Sequence, residues 1–409
     1  MRAPRTRPAF SRPTASPLHG LTILQVIPEL DAGGAERTAI DIAAGLAAAG
    51  ARALVASEGG RLVGELQTKG GEWIPFPAKT KNPFAMALNV RRLARIAHDE
   101  GVSLIHARSR APAWVALGAS RVLGLPFLTT YHGSYAGRSA PKRLYNSVMA
   151  RGDAVIANSA YTAALIRSLY PAASERVRIV HRGTDLARFA PFAIAPERVD
   201  GLRRAWGIAP HERIVLLAAR LTPWKGQKIL IEAAARLRDA GQANVCYVLA
   251  GDPQGRGGYV AELDRLIAAR GLDGIVRRVG HCTDMPAAFM AASVVAVPST
   301  EPEAFGRSAV EAQALGIPVV VSDLGAVPET VIAPPDEPAS ARTGWRVPAG
   351  DPAALADAIG AALALGASAR DAMAGRARAH VERRFSLDSM VEATLETYIG
   401  FLGTRPEEG

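Results

Sequence analysis

The sequence predicts an α/β protein built from two parallel, doubly wound sheets. Three observations carry that expectation. Short apolar runs of four to seven residues alternate with segments of helical periodicity along nearly the whole 409-residue chain. The chain is long for one domain and comfortable for two. The alternation breaks once, between residues 189 and 210, where Pro191, Pro196 and Pro210 punctuate it.

The first series opens with an apolar run at residues 21–27, then Asp31-Ala32-Gly33-Gly34-Ala35-Glu36 and a helical pattern over 37–49. Strand, glycine turn and helix together present backbone N–H groups to phosphate or sugar oxygens. The spacing is not the dinucleotide G-x-G-x-x-G fingerprint, and a plain glycine turn reads the same way. Strands follow at 53–57, 73–76, 103–106 and 126–130, with helices at 85–98 and 112–123. His132, in Tyr131-His132-Gly133-Ser134, falls at the C-terminal end of a strand, where open parallel sheets bind ligands. A helix at 142–149 and strands at 154–157 and 177–180 complete the series.

The second series begins with a strand at 214–219 that ends in Arg220-Leu221-Thr222-Pro223-Trp224-Lys225-Gly226 before a helix at 227–237. Arg220 offers forked donors and Lys225 a point charge, a pair able to neutralise a diphosphate. An ordinary exposed pair of cations reads the same way. The strand at 275–279 ends at Gly280, where a base ring can approach the backbone. The glycine-rich 255–258 is expected to be a turn.

The most informative stretch is Pro298 to Glu311, P-S-T-E-P-E-A-F-G-R-S-A-V-E, between a buried strand at 294–297 and a helix at 309–315. Glu303 and Glu311 stand eight positions apart, roughly 12 Å in helical rise. That matches the reach from a ribose across a diphosphate to a sugar. A helix N-terminus between the two acids suits the diphosphate. A loop acid and a surface helix acid would look no different in isolation. A strand at 318–321, another at 344–347 and helices at 352–365, 369–384 and 387–401 finish the chain.

Composition bounds the function. The net charge of +10 is uneven: residues 1–190 carry 25 Lys and Arg against 12 Asp and Glu, and residues 191–409 carry 23 against 26. A basic N-terminal half favours an anionic partner, either a membrane surface or an acidic glycan. No binding motif for nucleic acid accompanies the charge. Cys246 and Cys282 alone give neither a disulfide framework nor metal-ligand spacing, which fits a reducing compartment. No apolar run is long enough to span a membrane, and the basic N-terminus is read as a disordered arm and not as a secretory signal.

Glu303-Ala304-Phe305-Gly306 with Glu311, together with Gly33-Gly34-Ala35-Glu36, Arg220 with Lys225-Gly226, Gly251-Asp252, Pro318-Val319-Val320, Gly325 and Glu329, resembles the large retaining glycosyltransferase family four. The resemblance spans residues 21 to about 401 and implies the GT-B architecture, two Rossmann-like domains facing across a cleft. The expected division is a basic arm at 1–18, an acceptor-binding domain at 19–190 and a linker at 191–210. A nucleotide-sugar domain follows at 211–385, and then a helix and tail at 386–409 that cross back to the first domain.

Carried over by motif, the resemblance implies that Glu303 contacts the donor sugar and Glu311 the ribose hydroxyls. Arg220 and Lys225 would bind the diphosphate and His132 the donor sugar. Phe305, Gly306, Gly33 and Gly34 would line the donor site, joined by Gly280 from its strand-end position. Arg307 departs from the small or apolar residue usual after Phe-Gly.

The expected reaction is metal-independent hexosyl transfer with retention, using no cofactor beyond a UDP- or GDP-sugar co-substrate. The expected acceptor is a lipopolysaccharide intermediate or lipid-linked glycan, met by a basic surface that includes Arg108, Tyr135, Arg138 and Lys142. The expected place is the cytoplasm or the inner face of the cytoplasmic membrane. A nucleotide-sugar 2-epimerase and a non-catalytic nucleotide-sugar-binding subunit remain as alternatives.

Overall fold

The computed structural model describes residues 16–31, 34–133 and 139–402. The first series runs β1 (Thr22–Val26), α1 (Gly34–Ala48), β2 (Arg52–Ser57), α2 (Val63–Thr68), β3 (Gly71–Pro75) and α3 (Pro83–Asp99). It continues through β4 (Val102–Ala107), α4 (Arg110–Leu123), β5 (Phe127–Tyr131), α5 (Ala140–Asn146), β6 (Ala154–Ala157), α6 (Ala160–Leu169) and β7 (Val177–Ile179). The strands form a seven-stranded sheet in the order β3-β2-β1-β4-β5-β6-β7.

The second series follows α7 (Pro196–Ala205): β8 (Arg213–Ala218), α8 (Gln227–Asp239), β9 (Val245–Ala250), α9 (Gly257–Ala269) and β10 (Val276–Gly280). Then come α10 (Met285–Ala291), β11 (Val294–Val297), α11 (Arg307–Ala314), β12 (Val319–Ser322), α12 (Val327–Thr330) and β13 (Trp345–Val347). Helices α13 (Pro352–Leu363), α14 (Ala367–Phe385) and α15 (Leu387–Leu402) close the chain. This six-stranded sheet runs β10-β9-β8-β11-β12-β13. Each sheet therefore reverses its strand order once, between β1 and β4 in the first and between β8 and β11 in the second. Ligands of open α/β sheets bind beyond the strand ends at such reversals.

The strand pairs are parallel, as Val294 beside Val215 and Ile23 beside Ala53 illustrate. Parallel strands are covered on both faces, so they read as continuous apolar runs, and these were the clearest signals in the sequence. Alternate residues of β8 serve opposite faces: Val215 and Leu217 join one core with α8, α9 and α13, while Ile214 and Leu216 join another with Phe289, Phe305 and Val310.

Contacts divide the chain into two compact units, one running to Thr129 and resuming at Thr394, the other Thr130–Ala393. The proline-punctuated stretch expected as irregular linker holds helix α7. Pro196 stands at its first position, where the missing N–H is not needed. Helix α2 carries a single buried residue, Leu66, too little apolar periodicity to be read from sequence. Among the described residues no single helix is long and apolar enough to cross a membrane.

Candidate functional site

The strand reversal between β8 and β11 brings two loops together. The loop after β8 turns through Pro223–Lys225 and enters α8 at Gly226, whose φ of +75° only glycine adopts without strain. A Cβ there would also overlap the Pro298 carbonyl at the end of β11. The Thr300 N–H donates to the Trp224 carbonyl at 2.8 Å. The chain can therefore place Lys225 against the loop after β11 only with glycine at position 226.

Lys225 Nζ lies 2.8 Å from Glu303 Oε1, with the two side chains 15% and 11% exposed, and 4.3 Å from the Trp224 ring centroid. The Ser299 hydroxyl donates to the same Glu303 oxygen. Removing one partner of a largely desolvated pair of this kind costs more than breaking a surface pair, because it leaves a buried charge uncompensated. The Glu303 backbone is fixed separately. It bridges Gly325, and its carbonyl accepts the Ala326 N–H at 2.9 Å. Gly325 has φ +71°, and a Cβ there would stand 2.6 Å from the Glu303 oxygen.

Phe305 is buried and edge-on to Phe385, 5.5 Å between centroids. Gly306, at φ +85°, is the N-cap of α11, and neither it nor Gly226 supplies a side-chain cap. By contrast Asn82, Ser159 and Asp351 cap α3, α6 and α13 with their side chains. Two helices thus begin beside the Lys225–Glu303 pair with first-turn N–H groups that no side chain of their own N-cap engages. Together with Lys225 they form a positive cradle suited to a diphosphate.

Glu311 lies one turn into α11 with 16% of its side chain exposed, and burial pushes its carboxyl up to about 7 against the opposing pull of Arg307, Arg188 and Arg182. Arg307, the departure noted in the sequence, stands at the first position of α11 with Nε 4.0 Å from Glu311 Oε1.

The remaining predicted residues fall as follows. Arg220 lies in the loop just after β8 and is exposed, its carbonyl held by Gln227 Nε2 at 2.9 Å. Gly280 ends β10 at φ +72° with open space where a Cβ would be. His132 follows β5 and is half-buried. Gly34 begins α1. Lys142 is exposed on α5. Gly33, Tyr135 and Arg138 lie outside the described residues.

Arg108 is a correction. Expected on a basic surface, it is 2% exposed, because Gln25 Oε1 takes its Nε at 2.7 Å inside the first sheet's core. The acids expected to reach ligand gained unforeseen neighbours: Ser299 on Glu303, and Arg182 and Arg188 near Glu311. Ser299 belongs to the signature stretch itself. The two arginines come from 182–188, a segment with no sequence signal tying it to Glu311. Among the described residues no group of three or more His, Cys, Asp or Glu is arranged to hold a metal ion.

The chain matches the family described as Glycosyltransferase Family 4 over residues 32–188 and that described as Glycosyl transferases group 1 over residues 199–380. A glycosyltransferase structure from Rickettsia africae is 30% identical, covers 94% of this chain and 99% of its own, and superposes with a TM-score of 0.85. Anabaena HepE in complex with UDP-glucose is 28% identical over 93% of this chain and all of its own, with a TM-score of 0.78. The D-inositol 3-phosphate glycosyltransferase of Salinispora tropica is 33% identical over 72% of this chain and 63% of its own length. The chain spans 63% and 68% of the length of two Salinispora relatives and 50% of that of a Mycobacterium bovis relative. With two parallel-sheet Rossmann-like domains and these likenesses, the chain belongs to glycosyltransferase family four and has the GT-B fold.

Proposed function

We propose that the protein is a retaining, metal-independent glycosyltransferase that moves a hexosyl group from a nucleoside-diphosphate sugar to an anionic cell-envelope glycan or glycolipid. The observation that carries this reading is the Lys225–Glu303 contact of 2.8 Å at the threshold of α11. Glu303 takes hydroxyls of the donor sugar, and Glu311 takes those of the ribose. Lys225, Arg220 and the first-turn amides of α8 and α11 hold the diphosphate.

Breaking the bond from sugar carbon to phosphate oxygen builds negative charge on the diphosphate. Prearranged positive charge is the largest contribution a protein makes to such a step. The acceptor hydroxyl attacks the face the diphosphate leaves, and the departing phosphate oxygen takes the hydroxyl proton. That balance leaves a glycoside and a protonated nucleoside diphosphate. His132 completes the contact with the donor sugar.

UDP is the favoured nucleotide, supported by HepE, whose structures hold UDP-glucose and UDP. An anionic acceptor is supported by the excess of 25 basic over 12 acidic residues in 1–190 and by relatives named for a phosphorylated inositol. Lipopolysaccharide or another lipid-linked envelope glycan fits that charge, with the protein working at the inner membrane face.

A thermal-shift screen with UDP, GDP and ADP tests the donor. The matching nucleotide at a hundred times its dissociation constant adds about 2.7 kcal/mol of stability. A chain that responds to none of the three refutes the donor assignment. Co-sedimentation with anionic vesicles tests the membrane side, and binding indifferent to both anionic lipid and salt would remove it.

A further inference from the structure

We propose that Glu329 is a positioning residue for the turn that carries Glu303, an inference that rests on the donor-sugar role assigned to Glu303 above. Both Glu329 carboxylate oxygens are engaged. Oε2 accepts the Ala160 N–H at 2.7 Å and Oε1 the Tyr161 N–H at 2.7 Å. His181 Nε2 stands 3.3 Å from Oε2. The Glu329 side chain is only 19% exposed. Burial alone would raise its pKa, but His181 and the two amides outweigh burial and hold the carboxyl below its ordinary value. It is therefore a fixed, ionised clamp on the first turn of α6. The side chain of Ser159, the N-cap of that helix, engages Thr162 through its N–H and its hydroxyl and leaves the Ala160 and Tyr161 N–H groups to Glu329.

Two routes lead from this clamp to the turn. The first runs along the chain. Glu329 lies on the single turn α12, and the residues just before it are bonded to Glu303 itself: Gly325 bridges it and the Ala326 N–H reaches its carbonyl at 2.9 Å. The second runs through rings. His181 is edge-on to Phe385 at 5.4 Å, and Phe385 is edge-on to Phe305, two residues after Glu303, at 5.5 Å. Glu329 thus fastens both supports of the Glu303 main chain to α6 and to the segment after β7.

Glu311 is supported differently. Its helix α11 is seated in the core by Ala309, Val310 and Ala312. Gln313 Nε2 also donates to the Thr330 carbonyl at 2.8 Å, so α12 keeps a second anchor when Glu329 is altered. Loss of the clamp should therefore disturb the sugar end of the site and leave the nucleoside end in place. A small misplacement of a reacting group far from the mutated atom costs on the order of a hundredfold in rate.

The test uses the full chain with Glu329→Ala and Glu329→Gln. Glu329→Ala should lower kcat about 10- to 100-fold while UDP affinity by titration calorimetry stays within twofold. Glu329→Gln retains one acceptor oxygen and should fall between Ala and wild type. Hydrogen–deuterium exchange in Glu329→Ala should quicken both in residues 160–169 and in residues 299–306.

Three results overturn the proposal: a folded Glu329→Ala variant with wild-type kcat, a loss of kcat matched by an equal loss of UDP affinity, or faster exchange confined to 160–169. The last is the result of a plain helix cap. If the wild-type chain transfers no sugar from any donor, the proposed function fails on its own, and exchange at 299–306 still decides whether Glu329 holds that turn.

Discussion

The two strand reversals make an instructive pair. Each sheet has the same order about its reversal, and each has a cation in the segment after a central strand: Lys225 at the far end of the loop after β8 and Arg108 directly after β4. In the second sheet the cation meets a carboxylate, keeps 15% of its side chain exposed and stands beside two helix starts whose N-cap residues are glycines without a capping side chain. In the first it is sealed.

Arg108 is held through Nε by Gln25, whose own amide donates to the Ala39 carbonyl at 2.9 Å. The Tyr398 hydroxyl lies 2.6 Å from His106 Nδ1 and also bonds Arg108. Burial pushes the guanidinium pKa down. The same topology thus yields a charged site in one sheet and a buried polar plug in the other. The lesson is that strand-end position nominates a residue, and its partners decide what it does.

The largest effect that tests this contrast is on catalysis. Lys225→Ala should cost about 10²- to 10³-fold in kcat, the size seen when one preorganised group facing developing negative charge is removed. Steady-state kinetics with the matched nucleotide sugar measures it. Near-wild-type turnover would mean that the site at the second reversal is not the reacting one.

Next is stability. Arg108→Ala removes a buried side chain and strands the Gln25 oxygen, so unfolding free energy should fall by about 2–4 kcal/mol. Arg108→Met, of similar volume, should cost less. Neither variant should change UDP affinity. If Arg108→Met instead abolished acceptor turnover in a stable protein, the plug would be a ligand-binding group after all.

The smallest effect is a pH dependence at Glu311. Folded, its carboxyl keeps a proton up to about pH 7, whereas unfolded it loses the proton near its ordinary value of 4.5. Between those limits the folded chain binds more protons, so stability falls as pH rises through the window. Glu311→Gln should flatten that slope, with a gain on the order of 1–3 kcal/mol at pH 8. UDP affinity should rise in the wild type from pH 6 to pH 8, since the ionised acid accepts ribose O–H groups, and should be flat in the variant. A slope that survives the substitution would place the titrating group elsewhere.

Much of the fold was legible because parallel strands are buried on both faces and write themselves as unbroken apolar runs; Val294–Val297 and Val245–Ala250 are examples. Helix α7 was not legible, because none of its residues is buried and its composition reads as a polar, proline-bounded connector. The resemblance assigned Lys225 and Glu303 to one donor site, but their direct ion pair was not read from the sequence; Gly226 explains why the motif needs its glycine. The clamp made by Glu329 was not anticipated. Its partners Ala160, Tyr161 and His181 lie more than 140 residues away in the chain and contribute backbone or a common side chain, so nothing local marks them.

The sequence by itself determined the alternation of strand and helix, the two parallel sheets and the family motif, because periodicity and turn chemistry are written in neighbouring residues. Only the tertiary structure decided which charged groups were paired, buried or left reachable. Burial and counter-charge are properties of what the fold brings alongside a residue, which is why Arg108 closed into a core while Lys225 faced an acid.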